Sequence, residues 1–159
     1  MIWLLCFVWA SAAEPGDLAD IETKIAVERP AELVLLTADI GVMEQAFPEH
    51  CALKWEKAVQ SSGLGARFKV TYKAALMRRR LSATVSQVTP DMVEWEHHGR
   101  KGFFTRWSVD ETGVAPAIHV KTWMNPPPWP LKRYYMKRIK PAWEACYMEA
   151  LNGLIRIRG

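Results

Sequence analysis

The sequence is short of the patterns that announce familiar chemistries. It has no Cys-x-x-Cys pair and no His-Glu-x-x-His spacing, so its four histidines and three cysteines make no recognised metal set. It has no Gly-x-Ser-x-Gly elbow, no P-loop and no dinucleotide fingerprint. The stretch "GLGARF" lacks the third glycine and leads into a strand, so its glycines serve a turn. No metal and no cofactor is therefore expected. Internal repeats and low-complexity linkers are also missing, and 159 residues suit a single domain with one core. The formal net charge of +4 is mild, which is consistent with solubility and does not mark a nucleic-acid binder.

Cysteine is scarce. Cys6 lies in an apolar N-terminal run, and its removal would leave Cys51 and Cys146 as the internal pair. Small buried hydrophobes are the expected role of these two, with a bridge permitted in an oxidising compartment. Residues 1–13 read as an export signal, with an apolar run from Ile2 to Trp9 and small residues Ser11-Ala12-Ala13 before Glu14. That run is too short to span a bilayer, and no Lys or Arg precedes it. The mature chain is then 14–159, periplasmic or secreted; without the signal it would be cytoplasmic.

Apolar residues make up half of the chain and eight are tryptophans, a composition that folds and lines either a core or a cavity. Ile21, Thr23, Ile25 and Val27 alternate with Asp20, Glu22, Lys24 and Ala26, which predicts a half-buried first strand. Pro30 opens one or two short helices. Strands then dominate: Leu53, Trp55, Lys57 and Val59 share one face, followed by Phe68, Val70, Tyr72 and Ala74. "LSATVSQV", "MVEWEHH", "FFTRWSV" and "AIHVKTWM" come next, joined by short turns that imply antiparallel hairpins. Tyr135, Ile139, Trp143, Cys146, Ala150 and Leu154 form one apolar helical stripe, with a short first piece or a kink expected near Lys140 because of Pro141. Gly153 slightly weakens the far end of that helix. The fold class is α+β.

This order resembles the helix-grip fold of the START-like (SRPBCC) superfamily, which includes polyketide cyclase/dehydrase-like proteins, lipid-transfer domains and plant allergens related to Bet v 1. The stretches that carry the resemblance are "SSGLGARFKVTYKAAL", "VTPDMVEWEHHGRKGFFTRWSVDETG" and "PAWEACYMEALNGLI". It implies a curved antiparallel sheet of about seven strands wrapped around a long C-terminal helix, with two short helices after the first strand and an apolar cavity under the helix. The proline corner in "TWMNPPPWP" would be the hinge of that helix. No catalytic residue carries over from the resemblance.

His97 and His98 point to opposite faces of a strand and cannot share one ion. His97 falls on the Val93 and Trp95 face, while Glu94, Glu96 and His98 are expected on a solvated one. The inward set comprises Trp55, Tyr72, Trp95, His97 and Thr105, with Trp107, Thr122, Trp143 and Tyr147. It serves either as a small-molecule pocket or as a packed core. Lys57 on the Trp55 face either snorkels to the rim or meets an acidic ligand group. Arg78-Arg79-Arg80 at a strand boundary and Lys132, Arg133, Lys137, Arg138 and Lys140 with Trp129, Tyr134 and Tyr135 make a basic, aromatic set. It is either a solvated surface or a contact for anionic membranes.

Three functions are compatible with these residues. The first is binding or transport of a hydrophobic small molecule, a lipid or an aromatic metabolite, oriented by Tyr72, His97, Thr105 and Thr122. The second is a cyclase- or dehydratase-like enzyme in which His97 or Tyr72 moves a proton. The third is an interaction protein using the basic helix against acidic partners.

Overall fold

The computed structural model describes residues 19–99, 102–124 and 130–159. The expected signal at 1–13, Cys6, Trp129 and most of the proline corner lie outside the described residues.

The strands are β1 (Ala19–Ala26), β2 (Ala52–Lys57), β3 (Arg67–Ala74), β4 (Met77–Thr89), β5 (Met92–His98), β6 (Phe103–Asp110) and β7 (Ala117–Trp123). They form one curled antiparallel sheet in the order β1-β7-β6-β5-β4-β3-β2. Two short helices, α1 (Pro30–Leu36) and α2 (Ile40–Ala46), carry the chain from the first edge strand to the other. Pro30 occupies the first turn of α1, where its missing N–H costs nothing. Asp39 caps α2 by accepting hydrogen bonds from Gly41 N at 2.8 Å and Val42 N at 3.2 Å.

The closing helix runs in three pieces: α3 (Leu131–Tyr134), a π-helical turn (Tyr135–Ile139) and α4 (Lys140–Arg158). The expected irregularity falls just ahead of Pro141, whose ring has no N–H to continue the ladder. The Lys140 N–H reaches back five residues to the Tyr135 carbonyl, which absorbs the mismatch as a widened turn. From there α4 lies against α2 and β1. Thr23 Oγ1 donates to the Glu144 carbonyl at 3.2 Å across that contact.

Alternation in β1 and β3 matches the sequence pattern: Ile21 and Thr23 are buried while Glu22 and Lys24 are exposed, and Phe68, Val70 and Tyr72 are buried between the more exposed Arg67, Lys69, Thr71 and Lys73. β2 departs from it. The register shifts between Ala52 and Lys54, which puts both Ala52 and Trp55 on the inner face and leaves Leu53 as the extra residue. Leu53 is therefore exposed, and Val59 is exposed because the strand ends at Lys57. Lys57 pairs with Glu44 of α2, so it snorkels to the rim.

Arg78, Arg79 and Arg80 are the second to fourth residues of β4, at the strand boundary where they were expected. Two further expectations need correcting. Glu94 is on the outer face yet buried, because Arg106 clamps it through Nε at 3.1 Å and Nη2 at 2.7 Å while stacking on Trp123. Cys51 and Cys146 are joined in a disulfide with their Cα atoms 5.8 Å apart, tying the start of β2 to α4.

Candidate ligand-binding site

The concave face of the sheet collects the large side chains that alternation sends inward. Tyr72 comes from β3, Trp95 and His97 from β5, Thr105 and Trp107 from β6, and Thr122 from β7; Trp143 and Tyr147 descend from α4. The rings meet tilted or edge to face. Tyr72 and Trp143 have centroids 4.6 Å apart, Trp107 and Tyr147 5.6 Å, and Phe47 of the α2–β2 loop fills the gap between Trp55, Tyr72 and Tyr147. His97 stacks flat on Phe103 at 4.2 Å.

A chain of hydrogen bonds crosses this aromatic interior. His97 Nε2 lies 3.0 Å from Thr105 Oγ1, which lies 3.0 Å from Thr122 Oγ1. Thr122 Oγ1 donates to the Tyr147 hydroxyl at 3.1 Å, and that hydroxyl is 3.4 Å from Thr105 Oγ1. Burial pushes the imidazole of His97 down to about 3, with the neighbouring His98 adding to the effect, so His97 is neutral at physiological pH. Burial raises Tyr72 well above its ordinary range, helped by Tyr147. Tyr147 is raised by burial too, against the opposing pull of its bonds to Thr105 and Thr122.

Among the described residues, five buried polar side-chain atoms have no hydrogen-bond partner, and all belong to this interior: Trp55 Nε1, Tyr72 Oη, His97 Nδ1, Trp107 Nε1 and Trp143 Nε1. Native interiors pair nearly all such groups, since each unpaired one costs about 1–3 kcal/mol. Three of the five residues, Tyr72, His97 and Trp143, line one enclosed cavity of about 10 Å³, together with Leu81, Phe103, Thr122, Met124 and Tyr147. That is room for roughly one water-sized body.

No protein-family model matches the sequence, and no curated protein matches it. Solved structures do. The KanY protein (ms6282), known from its NMR structure, superposes with a TM-score of 0.71 at 16% identity, covering 89% of this chain and 99% of the other. TTHA0849 from Thermus thermophilus gives 0.67 at 13% identity, covering 87% and 99%. The chain has the helix-grip fold. The di-domain ARO/CYC StfQ from the steffimycin biosynthetic pathway shares it at a TM-score of 0.59 and 13% identity, over 86% of this chain and 49% of that two-domain one.

Within the helix grip, the nine residues singled out from the sequence separate into two groups. Tyr72, His97, Thr122, Trp143 and Tyr147 meet at the cavity. Thr105 stands behind them as the junction of the hydroxyl chain, and Trp95 pins the sheet to α1 by donating from Nε1 to the Thr37 carbonyl at 3.0 Å. Trp107 is fully buried between Trp95, Phe47 and Tyr147, and Trp55 is half-buried at the edge strand. Leu81, Phe103 and Met124 were missed. Two lay within reach of the pattern, since Phe103 and Met124 fall two residues from Thr105 and Thr122 and so share their faces.

A second depression lies elsewhere. A groove of about 570 Å³ runs past Lys57, Arg67, Lys69, Thr84 and His98, and none of the unpartnered buried polar atoms belongs to it. Among the described residues no group of three His, Cys, Asp or Glu is placed to hold a metal ion. No helix among them is long and apolar enough to cross a membrane.

Proposed function

We propose that the protein binds a hydrophobic small molecule, a lipid or an aromatic metabolite, between the curled sheet and the closing helix. The observation that carries this reading is the group of unpartnered polar atoms gathered in an otherwise aromatic interior. A core built only for packing would place Phe or Leu where Tyr72, His97 and Trp143 stand, and would avoid their desolvation cost. The closed cavity is small, so a ligand must displace the start of the closing helix. The π-helical turn ahead of Pro141 interrupts the regular i→i−4 ladder of that helix.

The test is a titration with naphthalene followed through the indole N–H resonances. The Trp143 signal should move most, ahead of those of exposed or remote tryptophans. Movement confined to residues of the outer groove would remove the cavity from the account.

A cyclase- or dehydratase-like reaction in the same cavity is the second reading, favoured by the shared fold with StfQ. Two features weigh against it. His97 protonates only near 3, and Tyr72 ionises above its usual range, so neither group exchanges protons readily at neutral pH.

The partner surface follows from charge. Leu131, Tyr134 and Met136 are exposed beside Lys132, Arg133, Lys137 and Arg138, and no acidic residue occurs between 130 and 143. Lys140 is less available, because Glu144 sits 3.7 Å from it. The β3–β4 hairpin adds exposed Leu76 of its turn with exposed Arg78 and Arg79 of β4, and the turn adjoins α4, where Ala75 shares a depression with Ala142 and Ala145. Apolar side chains framed by cations suit an anionic bilayer surface. Such contact would bring the start of the closing helix to a lipid source. We also infer export, since a disulfide such as Cys51–Cys146 is sustained in oxidising compartments.

A further inference from the structure

The hydroxyl chain determines which nitrogen of His97 carries the proton. Thr122 uses its one proton toward Tyr147. The contact between Thr105 and Thr122 is then filled only by the Thr105 proton. That leaves Thr105 with nothing to donate to His97, so the contact at 3.0 Å must be an Nε2–H donating to Thr105 Oγ1. The weaker Tyr147 contact to Thr105 fits the same arrangement, with Tyr147 donating into the second lone pair of Thr105. His97 Nδ1 is consequently a bare lone pair, fully buried and without a partner.

The rest of the cavity complements that lone pair. The Tyr72 hydroxyl and the Trp143 indole N–H are unpartnered donors on residues lining the same space. Among the described residues, no Lys, Arg, Asp or Glu lines it. A carboxylate or phosphate would be buried there without a counter-charge, which is strongly unfavourable. A ketone or ether accepts from Tyr72 but leaves Nδ1 unmet. A hydroxyl group both donates once and accepts, which answers one acceptor and a neighbouring donor together.

We propose that the cavity recognises a neutral ligand by a hydroxyl at its buried end, which donates to His97 Nδ1 and accepts from the Tyr72 hydroxyl. This rests on the binding reading above and specifies its ligand class.

Three probes of one shape separate the possibilities: naphthalene, 1-methoxynaphthalene and 1-naphthol, each titrated by calorimetry at neutral pH. The wild-type protein should bind 1-naphthol about 5- to 10-fold more tightly than 1-methoxynaphthalene, the ordinary worth of one hydrogen bond. In His97→Phe that ratio should fall to near one, whatever the absolute affinities. A second readout needs no variant. In the ¹⁵N spectrum of the wild-type imidazole, Nδ1 should read as unprotonated, and its signal should shift with 1-naphthol but not with 1-methoxynaphthalene. Equal affinities for naphthol and its methyl ether, or a protonated Nδ1, would overturn the assignment while leaving the pocket intact. Failure of all three probes to bind would overturn the pocket reading and this inference with it.

Discussion

Gly153 of α4 lies against the main chain of Ala46 at the end of α2, so closely that a methyl group on Gly153 would sit 2.2 Å from the Ala46 carbonyl oxygen. The contact is backbone on one side, so no side-chain rotation relieves it. An alanine in a helix normally stabilises by about 1 kcal/mol relative to glycine. Here Gly153→Ala should instead destabilise by about 1–3 kcal/mol through overpacking. Urea denaturation of this variant beside Asn152→Ala, at an exposed neighbouring position, measures the sign. A stabilised Gly153→Ala would mean that α2 and α4 are not in this contact.

The disulfide closes a loop spanning 95 positions of sequence, so reducing it removes a long constraint on the unfolded chain. The Cys51→Ser, Cys146→Ser double variant should lose about 2–5 kcal/mol, read as a lower urea midpoint. Reductant should have the same effect on the wild-type protein and none on the variant.

His97 gives the protein an acid limb. Its folded value is about 3 against an ordinary 6.5, so between those two the unfolded chain binds a proton that the folded one refuses. Stability therefore falls as pH drops from about 6.5 toward 3, by up to about 1.4 kcal/mol per pH unit from this group. Replacing His97 by Phe should flatten that part of the profile of urea midpoint against pH. An unchanged slope would show that His97 is exposed or paired with a proton acceptor.

The basic end of the molecule predicts a salt-sensitive membrane contact. Co-sedimentation with vesicles containing anionic phospholipid should exceed that with neutral vesicles at low salt and fade near about 0.5 M salt, where screening lengths are short. Changing Lys132, Arg133, Lys137 and Arg138 together to Ser should weaken anionic-vesicle binding by at least about 100-fold, at roughly 1 kcal/mol per cation. Equal binding to neutral vesicles would contradict the charge argument.

Much of the architecture was legible because period-two alternation survives wherever one sheet face is buried. The Phe68-Val70-Tyr72 and Trp95-His97 sets needed no structure to place them inward. Pattern reading failed where a single residue breaks the period. The bulge at Leu53 exposes that side chain, and nothing in "ALKWEK" marks it. Burial of Glu94 was invisible for a related reason: Arg106 lies on the next strand, and only the register pairs the two. The Cys51–Cys146 bond depended on how α4 lies across the start of β2, a relation of distant segments that spacing does not encode. The hydroxyl chain was half legible, since Thr105, Thr122 and His97 were recognised as inward, but their order and the free Nδ1 needed coordinates.

Native mass spectrometry of the gently purified protein, followed by denaturing extraction, tests the binding account most directly. A stoichiometric, neutral, hydrophobic passenger that leaves on denaturation is the predicted result. A protein that is folded and empty, and that remains empty after incubation with 1-naphthol and long-chain alcohols, would contradict it.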